Sequence, residues 1–173
     1  MRSLTRRVMV LLLAVSTMSL GSLWVRSAVA ETIFTYTALL NGAQEVPPVP
    51  SGSQGVALVL LIKETNTVCY RISYSKLDGD EILAHFHGPA APGTSAPVVV
   101  NISPLPTPVG SPKHGCVPFT KDQVKDLNKG LLYLNVHSTM ATGGEIRGQV
   151  LPTKVGKYTK VDAPSSPSGA FLN

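Results

Sequence analysis

The sequence predicts a single all-β domain, a sandwich or barrel carrying one short helix, and three observations lead there. Apolar and polar residues alternate in short runs, the pattern of half-buried strands. Clusters of Gly, Pro, Ser, Asn and Asp that cannot continue a ladder separate those runs. Only one stretch combines a helix start signal, helical apolar spacing and a helix stop.

Taken in order, "TIFTYTALL" places Phe34, Tyr36 and Ala38 on one side of a strand, and "GAQEVPPVPSGSQG" follows as a loop. The apolar run "VALVLLIKE" reads as a buried strand. "TVCYRISYSKL" sets Val68, Tyr70, Ile72 and Tyr74 on one face and Cys69 and Arg71 on the other, ahead of the turn "LDGDE". "ILAHFH", the turn "GPAAPG" and the proline-opened strand "PVVVNI" come next, then a proline-rich loop, "SPLPTPVGSPKHG". The helix starts at Thr120, which forms a capping box with Gln123. Val124 and Leu127 give it an apolar face, and Gly130 stops it. "LLYLNVH" and "GEIRGQV" then form a hairpin, for seven strands in all.

The ends read differently. Arg2, Arg6 and Arg7 precede the apolar run from Val8 to Val25, and Ala28-Val29-Ala30 supplies the small residues of a cleavage site, so residues 1–30 are expected to be a signal peptide. The Arg6-Arg7 pair permits twin-arginine export, and the apolar run suits the general secretory route equally. The domain spans 31–151. Residues 152–173 have few apolar anchors and read as a flexible tail.

Charge follows from that division. The chain has 15 Lys and Arg against 10 acidic residues, but four of the arginines lie in the leader, leaving eleven against ten. A near-neutral remainder gives no electrostatic footprint for nucleic acid. An exported, cleaved chain has no membrane anchor, and its partner would be an extracellular or periplasmic protein or ligand. Two cysteines in an oxidising compartment predict one bridge, Cys69 to Cys116, worth roughly 4 kcal/mol on the loop-entropy estimate.

Chemistry concentrates on three segments. Alternation aims His85 and His87 of "AHFHGPA" the same way. In the hairpin it segregates Tyr133, Asn135 and His137, with Glu145, Arg147 and Gln149, from the core-facing Leu132, Leu134, Val136, Ile146 and Val150. Should the segments be neighbours, His85, His87 and His137 with a carboxylate would suit zinc or copper(II), and would not suit calcium, which prefers oxygen. The same residues could equally form a hydrogen-bonded polar cluster that sets strand register. His114, beside Lys113, reads as solvated. Glu45 and Arg147, each flanked by apolar residues, are expected to be partly buried, with Arg147 paired to Glu45 or to Glu145. Neither a G-x-S-x-G motif nor a glycine-rich phosphate loop occurs, and Glu45, the adjacent Asp80 and Glu81, and Glu145 fall in separate segments with no evident pairing.

The segments "NGAQEVPPV", "AHFHGPAAPG" followed by "PVVVNI", "YLNVHS" and "GGEIRGQV", in this order, resemble the chordin-domain (CHRD) family over Phe34 to Leu151. The resemblance implies an extracellular all-β module of immunoglobulin-like type and implies no enzyme. Animal chordins bind bone-morphogenetic growth factors through cysteine-rich repeats, which this chain lacks, and the family's exported microbial members have no assigned role. Cys69 and Cys116 resemble a pair found in some of those members. Together these readings favour an exported binding module of unknown ligand without catalytic activity. The alternative is a zinc or copper protein using His85, His87 and His137, with redox or hydrolytic capacity.

Overall fold

The computed structural model describes residues 31–153 and 158–159. The segment read as a signal peptide, and most of the tail, lie outside them. The strands are β1 (Thr32–Asn41), β2 (Gln54–Ile62), β3 (Thr67–Ser75), β4 (Glu81–His87), β5 (Val98–Ser103), β6 (Lys113–Pro118), β7 (Tyr133–Ser138), β8 (Ile146–Gln149), β9 (Leu151–Pro152) and β10 (Tyr158–Thr159). They form one antiparallel sheet in the order β5-β4-β7-β8-β1-β2-β3-β6, with β9 and β10 also paired to β1. The sheet curls into a nearly closed barrel.

Alternation explains what fills it. Tyr36, Ala38 and Leu40 of β1 meet Ala57, Val59 and Leu61 of β2 and Val68, Tyr70 and Ile72 of β3, all almost fully buried. Phe86 of β4 reaches across the interior to Tyr70, with ring centroids 6.0 Å apart. Its other edge meets Phe119, 5.6 Å away, just ahead of helix α1 (Lys121–Asn128). The helix caps the core with Leu127. Its capping box forms as the sequence predicts, and Gly130 (φ +68°) takes the left-handed position beyond its C-cap.

Three expectations change. β2 is not buried on both faces: Val56 and Leu58 lie on the outer side, 49% and 42% exposed, because a strand in a single curled sheet has only one core face. Lys113–Gly115 belong to β6 rather than to the proline-rich loop, since they pair with Tyr70–Ile72 of β3 while Cys116 faces Cys69. Within the expected tail, Tyr158 and Thr159 pair with Ile33 and Thr32. The bridge between Cys69 and Cys116 forms as expected and ties β3 to β6.

The barrel lacks one ladder, between edge strands β5 and β6, and side chains close that seam. Lys113, the first residue of β6, forms an ion pair with Glu81, the first residue of β4; their side chains are 1% and 3% exposed. Ser103 at the end of β5 and Tyr74 on β3 donate to the same carboxylate. Burial alone would raise the Glu81 pKa, but donors from Lys113, Ser103, Tyr74 and the Gly110 N–H lower it below the ordinary carboxylate value. The carboxylate therefore stays ionised and four segments converge on it.

Removing one member of a buried pair strands the other. We expect Glu81→Ala to cost about 3–5 kcal/mol in urea unfolding, whereas Glu81→Leu with Lys113→Met should recover most of that loss. Because the folded pKa of Glu81 is depressed, its contribution is complete above the unfolded value of about 4.3 and disappears as pH falls from there through the folded pKa. Acid unfolding of the Leu/Met double variant should be correspondingly less steep.

Candidate functional site

Side chains facing away from the barrel core usually meet water, yet on β4, β7 and β8 they are buried. His85 pairs in register with Asn135, and Asn135 with Arg147; His87 pairs with Tyr133, and Tyr133 with Gln149. These outward residues form a continuous patch, and apart from the half-buried His87 none is more than 7% exposed. Two loops roof them.

The roof over one side is 88–97, and its backbone is held by the side chains beneath. Arg147 donates through Nη2 to the Thr94 carbonyl (2.7 Å), and Gln149 through Nε2 to the Ala90 carbonyl (2.9 Å). The Tyr133 hydroxyl bridges Ala96, accepting from its N–H and donating to its carbonyl. The second loop follows β1, where Asn41 caps a short 3-10 turn at Gly42–Gln44 and delivers Glu45 over Asn135. Asn135 donates to both Glu45 oxygens at 3.1 Å. Gly144 (φ +124°) lets the β7–β8 connection pass beside them; a Cβ there would lie 2.5 Å from Asn135 Nδ2.

The histidines converge. A ligand nitrogen from each of His85, His87 and His137 lies within 4.8 Å of the other two. The His85 ring stands edge-on to both others, with centroid separations of 5.5 Å to His87 and 5.1 Å to His137. His87 donates from Nδ1 to the Ala96 carbonyl, and His137 from Nδ1 to the Thr142 carbonyl, both at 2.9 Å. A carbonyl only accepts, so each Nδ1 carries the proton and each Nε2 keeps its lone pair. His87 Nε2, His137 Nε2 and His85 Nδ1 are buried and have no hydrogen-bond partner.

Burial keeps these rings neutral. It pushes the His85 pKa down to about 4, assisted by the neighbouring His137 and His87. It lowers His137 against the opposing pull of the Thr142 carbonyl, and lowers His87 against that of Ala96. His87 also stacks on Tyr133 at 4.8 Å and 5°, and the Arg147 guanidinium lies 3.4 Å over the same Tyr133 ring, giving a three-layer stack.

Other predicted members fall elsewhere. Glu145 does not join the histidines: it accepts from Ser51, Ser53 and the Asp78 N–H at the far side of its strand. Its own N–H meets the Val136 carbonyl although Ile146 is the ladder partner of Val136, so alternation fails where the strand leaves Gly144. Arg147 makes no direct ion pair with Glu45 or Glu145, the one salt bridge among the described residues being Lys113–Glu81. Its charge acts on Glu45 through space. Burial raises the Glu45 pKa to about 7, with Arg147 and the Asn135 hydrogen bond pulling it down. His114 is exposed on β6, as expected.

Glu45, Arg147 and Gln149, with Gln44, Pro48 and Pro92, line a cleft of about 420 Å³ between the two roofing loops. Its lining from both loops could not be read from strand periodicity; the motif "NGAQEVPPV" is the only sequence signal for the first of them.

A family model described as the CHRD domain matches residues 36–150. No curated protein matches the chain, and no solved structure does.

The raised pKa of Glu45 has a testable sign. An acid whose folded pKa exceeds its unfolded value stabilises the fold below the unfolded pKa and loses that contribution as pH rises through the folded one. Relative to the parent, Glu45→Gln should therefore gain stability as pH climbs from about 4.5 to above 7. Urea midpoints of both proteins across that window check it, and the histidine contributions cancel in the difference.

Proposed function

The chain belongs to the CHRD domain family, and from that premise we propose that it is an exported, non-catalytic binding module whose ligand enters the cleft between Glu45 and Arg147. The cleft carries this reading, because it sets the cation of Arg147, on β8, and a carboxyl group of pKa about 7, on the loop after β1, between apolar proline walls. Arg147 uses one donor on Thr94, leaving further guanidinium N–H groups for a carbonyl or carboxylate. Glu45 can accept an N–H when ionised and donate when protonated. An extended peptide segment with an acidic group offers partners for both.

Two further features support this assignment. The carboxylates are committed to separate networks: Glu81 to the seam, Glu145 to the Ser51–Ser53 loop, and Glu45 to Asn135. None is placed opposite another as paired acid–base catalysis needs. Export agrees with a domain of extracellular type bearing a disulfide, and no helix among the described residues is long and apolar enough to cross a membrane.

Photo-crosslinking tests the reading. A benzophenone side chain placed at Ala43, on the cleft rim, should give a discrete crosslinked species with an exported peptide or protein. Arg147→Gln in the same protein should abolish it. The same group at Leu58, on the exposed apolar outer face of β2, should give none. Crosslinking from Leu58 alone would move the binding surface away from the cleft.

A further inference from the structure

We propose that His85, His87 and His137 form a binding site for one zinc or copper(II) ion, held by His85 Nδ1 and the Nε2 atoms of His87 and His137. Geometry carries the proposal. Three buried nitrogens on adjacent strands have no hydrogen-bond partner, and a ligand nitrogen from each residue comes within 4.8 Å of the others. A buried acceptor left without a donor keeps its full desolvation cost, so three together are an expensive way to set strand register. A polar cluster serving structure alone would give these atoms partners, as the same patch does by setting Arg147 and Gln149 against carbonyls and the Tyr133 hydroxyl against the Ala96 N–H.

The surroundings have the form that imidazole ligation requires. The Ala96 and Thr142 carbonyls take the Nδ1 protons of His87 and His137, which fixes the tautomer and aims Nε2 at the common point. The stack on Tyr133 fixes the plane of His87. Burial keeps all three rings neutral, the protonation state a metal needs. Tetrahedral bonds of about 2.1 Å set nitrogens about 3.4 Å apart, so ligation draws together nitrogens now within 4.8 Å of one another, by at most about 1.4 Å.

The donor set selects the ion. Three imidazoles without carboxylate or thiolate suit zinc and copper(II), with copper(II) the tighter by the Irving–Williams order; calcium and magnesium take oxygen ligands. No fourth His, Cys, Asp or Glu among the described residues joins the group, so the site leaves a position for water or another small donor. Glu45 is not among the ligands, its carboxyl group being held by Asn135.

The test uses the full chain, chelator-treated and then titrated with zinc or copper(II) alone. The expected result is one ion per chain and a rise in melting temperature. In nitrogen-detected NMR with zinc, the Nε2 resonances of His87 and His137 should shift while their Nδ1 protons are retained. Copper(II) should show nitrogen hyperfine coupling from three imidazoles. His137→Ala should weaken binding by about 100-fold or more, and His114→Ala, on the exposed face of β6, should leave it unchanged. The NMR readout needs no variant, so it stands even where an alanine variant fails to fold. Unshifted imidazole resonances at saturating metal, or equal binding by the parent and by folded His85→Ala,His137→Ala, would overturn the proposal. Neither outcome depends on whether the cleft takes a peptide.

Discussion

Closing the barrel without a last ladder is the constraint from which the rest of the structure follows. β5 and β6 are sheet edges, and an open edge invites slippage and foreign pairing. Here the gap is spanned by one carboxylate. Glu81 gathers Lys113, Tyr74, Ser103 and the Gly110 amide, so strands from both sides of the seam and the loop between them share a single electrostatic anchor. Thr107, from the same loop, reaches the Tyr70 hydroxyl at 2.7 Å and extends the closure inward toward the aromatic contact of Tyr70 with Phe86. Burying an ion pair is poor value for stability by itself. Its use is geometric: it sets where β4 begins, and the register of β4 against β7 decides where His85 and His87 point.

From that register a second layer is built outside the barrel. The outward faces of β4, β7 and β8 carry polar side chains, and the loop 88–97 carries three prolines, which have no N–H to donate and leave most of its backbone without a ladder. Each needs the other. Arg147, Gln149, Tyr133 and His87 supply or accept hydrogen bonds at Thr94, Ala90 and Ala96, so side chains supply the partners that a ladder would give a strand. Arg147, Gln149 and Tyr133 are buried by the very backbone they satisfy, whereas His85 Nδ1, His87 Nε2 and His137 Nε2 beside them find no partner.

How much of this was legible depends on whether periodicity or distance carried the information. Alternation was enough to separate Phe86 from His85 and His87, and Leu134 from Asn135 and His137, which is why the core and the outward patch emerged from sequence. It failed at Glu145, where Gly144 breaks the period, and at β6, where Pro, Gly and a buried lysine disguise a strand. The Lys113–Glu81 contact spans 32 positions and has no local signature. The same is true of the loop roof: the carbonyls of Thr94 and Ala96 belong to the backbone, and no side-chain pattern announces them. The expected Arg147 ion pair illustrates the difference in kind. The sequence rightly marked Arg147 as buried and in need of partners, but a guanidinium can be satisfied by a carbonyl and an aromatic face as well as by a carboxylate, and here it is.

The stack of Arg147, Tyr133 and His87 joins the two candidate sites physically. Arg147 forms part of the cleft wall, Tyr133 lies beneath it, and the His87 ring is parallel to Tyr133 within 5°. The Ala96 carbonyl accepts from both the Tyr133 hydroxyl and His87 Nδ1, so the proton position on the imidazole and the position of the phenol are set by one backbone group. A histidine with only a carbonyl partner could rotate about its own bond. One clamped between a carbonyl and a stacked ring cannot do so without displacing Tyr133, and Tyr133 cannot move without disturbing the guanidinium over it. The orientation of His87 Nε2 is therefore a property of the whole outward patch rather than of one hydrogen bond.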